Sequence, residues 1–259
     1  MDDPTRRFSN RVDNYIRYRP SYPAAVLDPL RQRGLTAEWV IADIGSGPGN
    51  LTRLFLDNGN HVYGVEPNTE MRQAGERLLQ DYPAFTSVEG TAEATTLPDD
   101  SVDLVVAGQA FHWFDHQRAR SEFERILKPP RLVALMWNER RLASTPFLAA
   151  YERLLREYGT DYAQVRHRAA ADAADTAALQ EFFAPHGYEL ASFTNEQVFD
   201  VEGLRGRLLS SSYAPTAGQP GHDAMLEALR SLFDAHQTDG VVTLEYDTRV
   251  YDGRIGSWE

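Results

Sequence analysis

The chain has 259 residues, of which 42% are apolar and 25% charged, with a formal net charge of −12. That length suits one large α/β domain with embellishments, and the acidic balance argues against a nucleic-acid polyanion as the main partner, since phosphate binding needs a basic face. Cysteine is absent, which excludes disulfides, zinc–thiolate sites and thiol nucleophiles.

In chain order, Met1-Asp2-Asp3-Pro4 is acidic and has no apolar core, so no signal peptide is expected. No apolar run approaches membrane-spanning length, and the expected location is cytoplasmic, with no membrane partner. Residues Thr5 to Pro23 mix aromatics and arginines with Pro20 and Pro23, which prevent one continuous helix. Tyr22 to Gly34 has amphipathic helical spacing through Val26, Leu27 and Leu30. Val40 to Ile44 is a short buried strand that runs into Gly45-Ser46-Gly47-Pro48-Gly49-Asn50. Asn50 is the expected cap of a helix over Leu51 to Asn58, and Gly59 its stop.

Strand and helix then alternate. His61 to Val65 is a strand ending in Glu66-Pro67-Asn68, and Asn68 caps a helix to about Tyr82, with Met71, Leu78 and Leu79 facing inward. Phe85 to Glu89, Val102 to Ala107 and Leu132 to Trp137 are the next strands, and Asp115 caps a helix running to Leu127. Continuously apolar strands alternating with helices predict an α/β fold, a doubly wound, mostly parallel sheet covered on both faces. The second half carries helical segments at Pro146 to Tyr158, Asp175 to Phe183 and about His222 to His236, with Val201 to Ser212 lying before the last of them. Strand-like segments at Tyr188 to Phe199 and Val241 to Tyr251 should complete the sheet, while the helices form a lid. The expected organisation is an N-terminal cap and first helix over 1–34, a cofactor-binding core over 35–140, and lid insertions with the last two strands over 141–259.

Ligands in such sheets bind beyond the carboxyl ends of the strands. Gly45, Glu66, Glu93 and the stretch Gln109 to Trp113 all fall there. The glycine spacing Gly-x-Gly-x-Gly puts Asn50 where a dinucleotide fingerprint has its third glycine. Glu66, about twenty residues on, is placed to accept both hydroxyls of a ribose. Glu93 is placed to accept from an exocyclic amine.

Together these segments resemble the S-adenosylmethionine-dependent methyltransferases with the seven-strand Rossmann-like fold, the type 11 group. Asp43-Ile44-Gly45-Ser46-Gly47-Pro48-Gly49 is similar to that family's first motif, and Val65-Glu66-Pro67-Asn68 to its ribose-binding acid and helix cap. Gly90-Thr91-Ala92-Glu93 with Leu97-Pro98 is similar to its adenine-binding segment. Ser101 to Val105 leading to Ala110-Phe111-His112-Trp113-Phe114 is similar to its fourth strand and catalytic-face loop. The Tyr15 to Pro23 pattern resembles trans-aconitate-methyltransferase-like members. Pro130-Arg131 departs from the pair of glycines usual before strand five.

The resemblance implies S-adenosyl-L-methionine as cofactor, S-adenosyl-L-homocysteine as product, and a small-molecule acceptor methylated on oxygen, nitrogen or carbon. It implies that Gly45, Ser46, Gly47 and Gly49 pass under the methionine moiety while Asp43 orients that loop or binds the cofactor's amino group. Glu66 with Pro67 would hold the ribose, Met71 would pack on adenine, and Ala92 with Glu93 would read its edge. Gln109 would add backbone near the sulfonium. Tyr18 and Arg19 would close over the cofactor carboxylate or an anionic acceptor. His112, whose ordinary pKa suits proton transfer near neutrality, is the candidate general base. Tyr15, Phe111, Trp113, Trp137 and Asn138 are the acceptor-contact candidates, with Tyr213, Phe147 and Tyr151 either lining the pocket or filling the core. No metal constellation stands out. A nicotinamide-dependent oxidoreductase and a non-catalytic adenosylmethionine-binding protein are the alternatives, and either a monomer or a homodimer is compatible with the sequence.

Overall fold

The computed structural model describes residues 12–163 and 176–256, with Val12, Asp13, Tyr15 and Thr176 described by their backbone alone. The proposed start of a helix at Asp175 and the segment Thr5 to Arg11 lie outside the described residues. Seven strands form one sheet in the order β3-β2-β1-β4-β5-β7-β6. They are β1 (Val40–Ile44), β2 (His61–Val65), β3 (Phe85–Val88), β4 (Val102–Gly108), β5 (Leu127–Arg140), β6 (Tyr188–Phe199) and β7 (Val242–Arg254). β1 to β5 pair in parallel, and β7 runs antiparallel to both β5 and β6. The doubly wound, mostly parallel sheet expected from the sequence is therefore present, and the two late strands complete it.

The described helices are α1 (Val12–Tyr18), α2 (Leu27–Gln32), α3 (Asn50–Asp57), α4 (Thr69–Leu78), α5 (His116–Ile126), α6 (Pro146–Tyr158), α7 (Thr176–Phe182), α8 (Val201–Leu209) and α9 (His222–His236). Alternate residues of the central strands enter opposite cores, as a pleated strand requires. On one face Ala42, Ile44, Val105 and Leu135 meet Phe123 of α5 and Phe182 of α7. On the other Ile41, Leu104, Val106 and Met136 meet Leu30 of α2 and Phe55 of α3. A third core joins α6, α8 and α9 to Phe199, Leu244 and Tyr246, where β6 ends and β7 begins. This helical layer stands at the carboxyl ends of β5 and β6 because Arg140 pairs with Tyr246 and Phe199 with Val242.

Local chemistry explains most boundaries. Asn68, Asp115, Thr145 and Asp200 each accept a backbone N–H in the first turn of the helix that follows. Gly59 closes α3 in the left-handed region, its N–H donating to Leu56 and that of Asn60 to Phe55. Three expectations need correction. Asn50 is not the cap of α3: Gly49 takes that position at φ 93° with no side-chain bond, and Asn50 is the first helical residue. Leu78 is 48% exposed, since the helix ends there and Leu79 takes the buried place. β5 is longer than Leu132 to Trp137, because β7 prolongs its pairing to Arg140. The departure from glycine at Arg131 leaves its mark: this residue holds φ 54°, a left-handed conformation in which glycine is at ease.

Candidate cofactor and acceptor site

The strand order reverses between β1 and β4, the switch point where a crevice opens in such sheets. There β1 ends in the glycine turn. Gly45 and Ser46 donate to the Val65 carbonyl at 2.9 and 3.2 Å, and Gly49 to Ser46 at 3.0 Å. Gly45, Gly47 and Gly49 all take positive φ, at 70°, 57° and 93°. Their neighbourhoods differ. A Cβ on Gly45 would stand 2.8 Å from Ala110, and one on Gly49 2.6 Å from Leu79, whereas one on Gly47 would meet nothing within 4 Å. Gly45 and Gly49 are required by packing; Gly47 borders open space. With Gly49 uncapped, the first N–H groups of α3 have no side-chain acceptor there.

Two buried carboxylates organise this end. Asp43 is 1% exposed; its Oδ2 accepts from the Thr52 hydroxyl at 2.6 Å, and its Oδ1 is buried with no hydrogen-bond partner. Burial raises its pKa to about 7, with the Thr52 bonds opposing. Glu66, at the tip of β2, accepts from the Gly47 N–H through Oε2 and from the Asn68 N–H through Oε1, both at 2.8 Å. Burial raises its pKa against those bonds. Glu66 thus ties the glycine turn to the cap of α4, and each oxygen keeps a second lone pair.

Past the tips of β2 and β3, Met71 is buried with its N–H donating to Asn68, and Ala92 is buried in the loop after β3. The Glu93 carboxylate accepts from the Asp115 N–H at 2.8 Å. The loop is braced by Glu122, whose Oε1 accepts from the Thr95 N–H at 2.8 Å and hydroxyl at 2.6 Å and pairs with Arg125 at 2.7 Å. Gly49, Glu66, Pro67, Met71, Ala92 and Glu93 do not line the main cavity.

That cavity has a volume of about 470 Å³. It brings together Asp43, Gly45, Ser46 and Gly47 with Arg19, Gln109, His112, Trp113, Trp137 and Asn138. Gln109 holds φ 57°, a left-handed state uncommon outside glycine, secured by its Nε2 donating to the Asn138 carbonyl at 3.0 Å. Asn138 is also a framework residue: its Oδ1 accepts from Thr248 at 2.5 Å and Asn195 at 3.1 Å, and its Nδ2 donates to the Ser21 carbonyl at 3.3 Å. The Trp137 Nε1 is buried with no partner. Phe111 corrects an expectation. It is 1% exposed and stacks on His116 with centroids 4.1 Å apart, edge-on to Trp137 and Phe182, so it belongs to the core rather than to an acceptor surface. Its 3-10 turn, Phe111–Trp113, sends His112 and Trp113 to the cavity instead.

Tyr18 is corrected likewise. It packs edge-on to Phe199, and a Cβ on Gly206 of α8 would overlap its ring, so it seats α1 on the helical layer and does not line the cavity. The Tyr15 side chain lies outside the description. Among the lid aromatics, Tyr213 lines the cavity, whereas Phe147 and Tyr151 fill the third core.

Sequence reading missed the far wall: Tyr22, Glu139, Arg140, Tyr162, Arg207 and Tyr246. One signal was available. Arg207 shares a helical face with Leu204 and Leu208, both fully buried, and a cation on an apolar stripe asks for a partner. Among the described residues no cluster of His, Asp and Glu could hold a metal ion, and no helix is long and apolar enough to cross a membrane.

The fold and the site define a Rossmann-like protein with a crevice over its strand tips. The site also fits a cofactor with an amino-acid tail: the orphaned Asp43 Oδ1 is an acceptor for an ammonium group, beside the open space at Gly47. Comparison with known proteins identifies the family. The profile of the methyltransferase domain matches residues 42–134. An uncharacterized methyltransferase of Mycobacterium tuberculosis is 31% identical over 236 residues, 90% of this chain and 88% of its own length. A trans-aconitate 2-methyltransferase of Azoarcus is 28% identical over 233 residues, 85% of this chain and 88% of its own. A solved structure from Anaeromyxobacter dehalogenans, described as a type II methyltransferase, superposes with a TM-score of 0.67 at 21% identity, covering 92% of this chain and 98% of the other. The chain belongs to the methyltransferase family.

Proposed function

We propose that the protein moves a methyl group from S-adenosylmethionine to a small-molecule acceptor. The observation that carries this reading is the buried, half-unpartnered carboxylate of Asp43 beside a glycine turn whose middle residue borders open space. When bound, the cofactor supplies a methyl on a sulfonium, which passes to an acceptor lone pair while sulfur keeps the bonding electrons as a thioether. The chain's own residues bind and align. Asp43 receives the ammonium group. Gly45, Ser46, Gly47 and Gly49 present backbone under the tail, and Arg19 faces its carboxylate. Glu66 takes the ribose hydroxyls, with Pro67, Met71, Ala92 and Glu93 around the adenine. Gln109 fixes the edge of the crevice next to the reacting methyl.

In-line transfer needs the acceptor atom about 3 Å from the methyl in a site that excludes water. Trp113, Trp137 and the Asn138 framework wall that space. His112 stands at the same wall and takes the proton of an acceptor that carries one. The cavity volume of about 470 Å³ suits a small molecule rather than a polymer.

Calorimetry on the whole protein tests the cofactor half: adenosylhomocysteine binds and NAD does not, and the reverse result removes the reading. Mass-spectrometric turnover of adenosylmethionine against an acceptor panel tests the chemistry. His112→Ala is expected to lower kcat about a hundredfold with adenosylhomocysteine affinity unchanged. Full turnover in that variant would dismiss His112 as the base.

A further inference from the structure

The far wall of the cavity holds a charge that no carboxylate among the described residues answers. Arg207 is 6% exposed and lines the cavity. Its Nε donates to the Tyr246 hydroxyl at 3.3 Å, and its Nη1 to the hydroxyls of Ser210 at 3.4 Å and Ser211 at 3.1 Å. All three partners are neutral, and Nη2 donates to no oxygen among the described residues. The other arginines of this wall are matched. Arg140 pairs with Glu152 at 2.7 Å, and Arg249 with Glu139 at 3.2 Å. No carboxylate among the described residues pairs with Arg207.

A guanidinium cannot shed its proton, so an unpaired one in an apolar setting carries a desolvation cost that hydroxyls only partly offset. Its layer is built to keep it there. Leu204 and Leu208 on the same helix are fully buried, and Gly206 admits the Tyr18 ring that seats α1 on α8. Next to it, Ser212 and Tyr213 line the same cavity, and neither hydroxyl has a partner among the described residues. A planar fork with free donors and two spare hydroxyls matches the two oxygens of a carboxylate better than any neutral group.

We propose that Arg207, with Ser212 and Tyr213, receives a carboxylate carried by the methyl acceptor. This rests on the methyltransferase reading and adds the acceptor's chemical class to it. The anion anchors the acceptor at the helical wall, across the cavity from Asp43 and the glycine turn, and leaves the rest of the molecule to face the methyl.

The test is calorimetry on the full chain with malonate as probe and malonamide as its neutral counterpart, with and without saturating adenosylhomocysteine. Malonate is expected to bind saturably and malonamide not to bind. Arg207→Met should weaken malonate by about tenfold or more while adenosylhomocysteine affinity stays within about twofold, and Arg207→Lys should retain part of the malonate affinity. Tyr213→Phe, which keeps the guanidinium and its helix, should weaken malonate by about threefold to tenfold and covers the case in which Arg207→Met fails to fold. Absence of saturable malonate binding, or equal binding of malonate and malonamide, overturns the proposal. So does an Arg207→Met protein that loses adenosylhomocysteine as severely as malonate, which would assign Arg207 to the cofactor. Failure of the wild type to bind adenosylhomocysteine at all would sink the methyltransferase reading instead, and the ligand-free malonate titration would still report on Arg207.

Discussion

The two walls of the cavity are made in different ways. The wall proposed for the cofactor is assembled from short contiguous pieces at the tips of β1 and β4, and it works through backbone, glycine turns and uncapped helix N–H groups, with Glu66 outside the lining gripping the Gly47 and Asn68 amides. The opposite wall is assembled from side chains far apart in sequence, with Arg140, Arg207 and Tyr246 drawn from β5, α8 and β7. A backbone-built wall admits little change, since each glycine answers a conformational demand. A side-chain-built wall can be rewritten one residue at a time, which suits the half that chooses among acceptors.

The largest effect should come from Glu66→Ala. It removes the acceptor of two amides and the proposed ribose contact together, so adenosylhomocysteine should bind about a hundredfold or more weakly by calorimetry, while malonate affinity changes little. A matching loss on both walls would mean that they are not separable. Next come the glycines. Gly49→Ala must hold φ 93° and meet Leu79 at 2.6 Å, so it should lower unfolding stability by about 2 kcal/mol in denaturant titration. Gly47→Ala has free space around its Cβ and should lose only about 1 kcal/mol of stability, yet it should weaken adenosylhomocysteine, since that space is where the ligand belongs.

A pH dependence tests the cofactor side of the comparison separately. The pKa of Asp43 in the fold, about 7, lies above its ordinary 3.8, so ionisation opposes folding. Its contribution to the stability of the ligand-free protein is therefore full below pH about 4 and is lost as pH rises through 7. Binding of an ammonium group runs the other way and should strengthen about tenfold as pH rises from 6 to 8. Asp43→Asn should flatten both profiles, as read by denaturant midpoints and calorimetry. A pH-independent affinity in the unmodified protein would detach Asp43 from the cofactor.

The strands, the Asn68 and Asp115 caps and the glycine turn were legible in the residues because their causes are local. Apolar runs make buried strands, Asn68 and Asp115 can reach only their own first turns, and a positive φ selects glycine within a single residue. The order of β1 to β4 and the placing of Glu66 followed from the same short-range grammar. Tertiary structure alone decided the rest. Phe111 and His112 are neighbours in one 3-10 turn, and only the packing of α5 and α7 determines that the ring goes to the core and the imidazole to the cavity. Arg207 stands in sequence on the apolar stripe of its helix, but what covers it is settled only when α8 is laid against β7, with Tyr246 against its guanidinium. The physical reason is one of range: backbone conformation and capping are settled within a few residues, whereas burial of a charge depends on which distant segment comes to cover it.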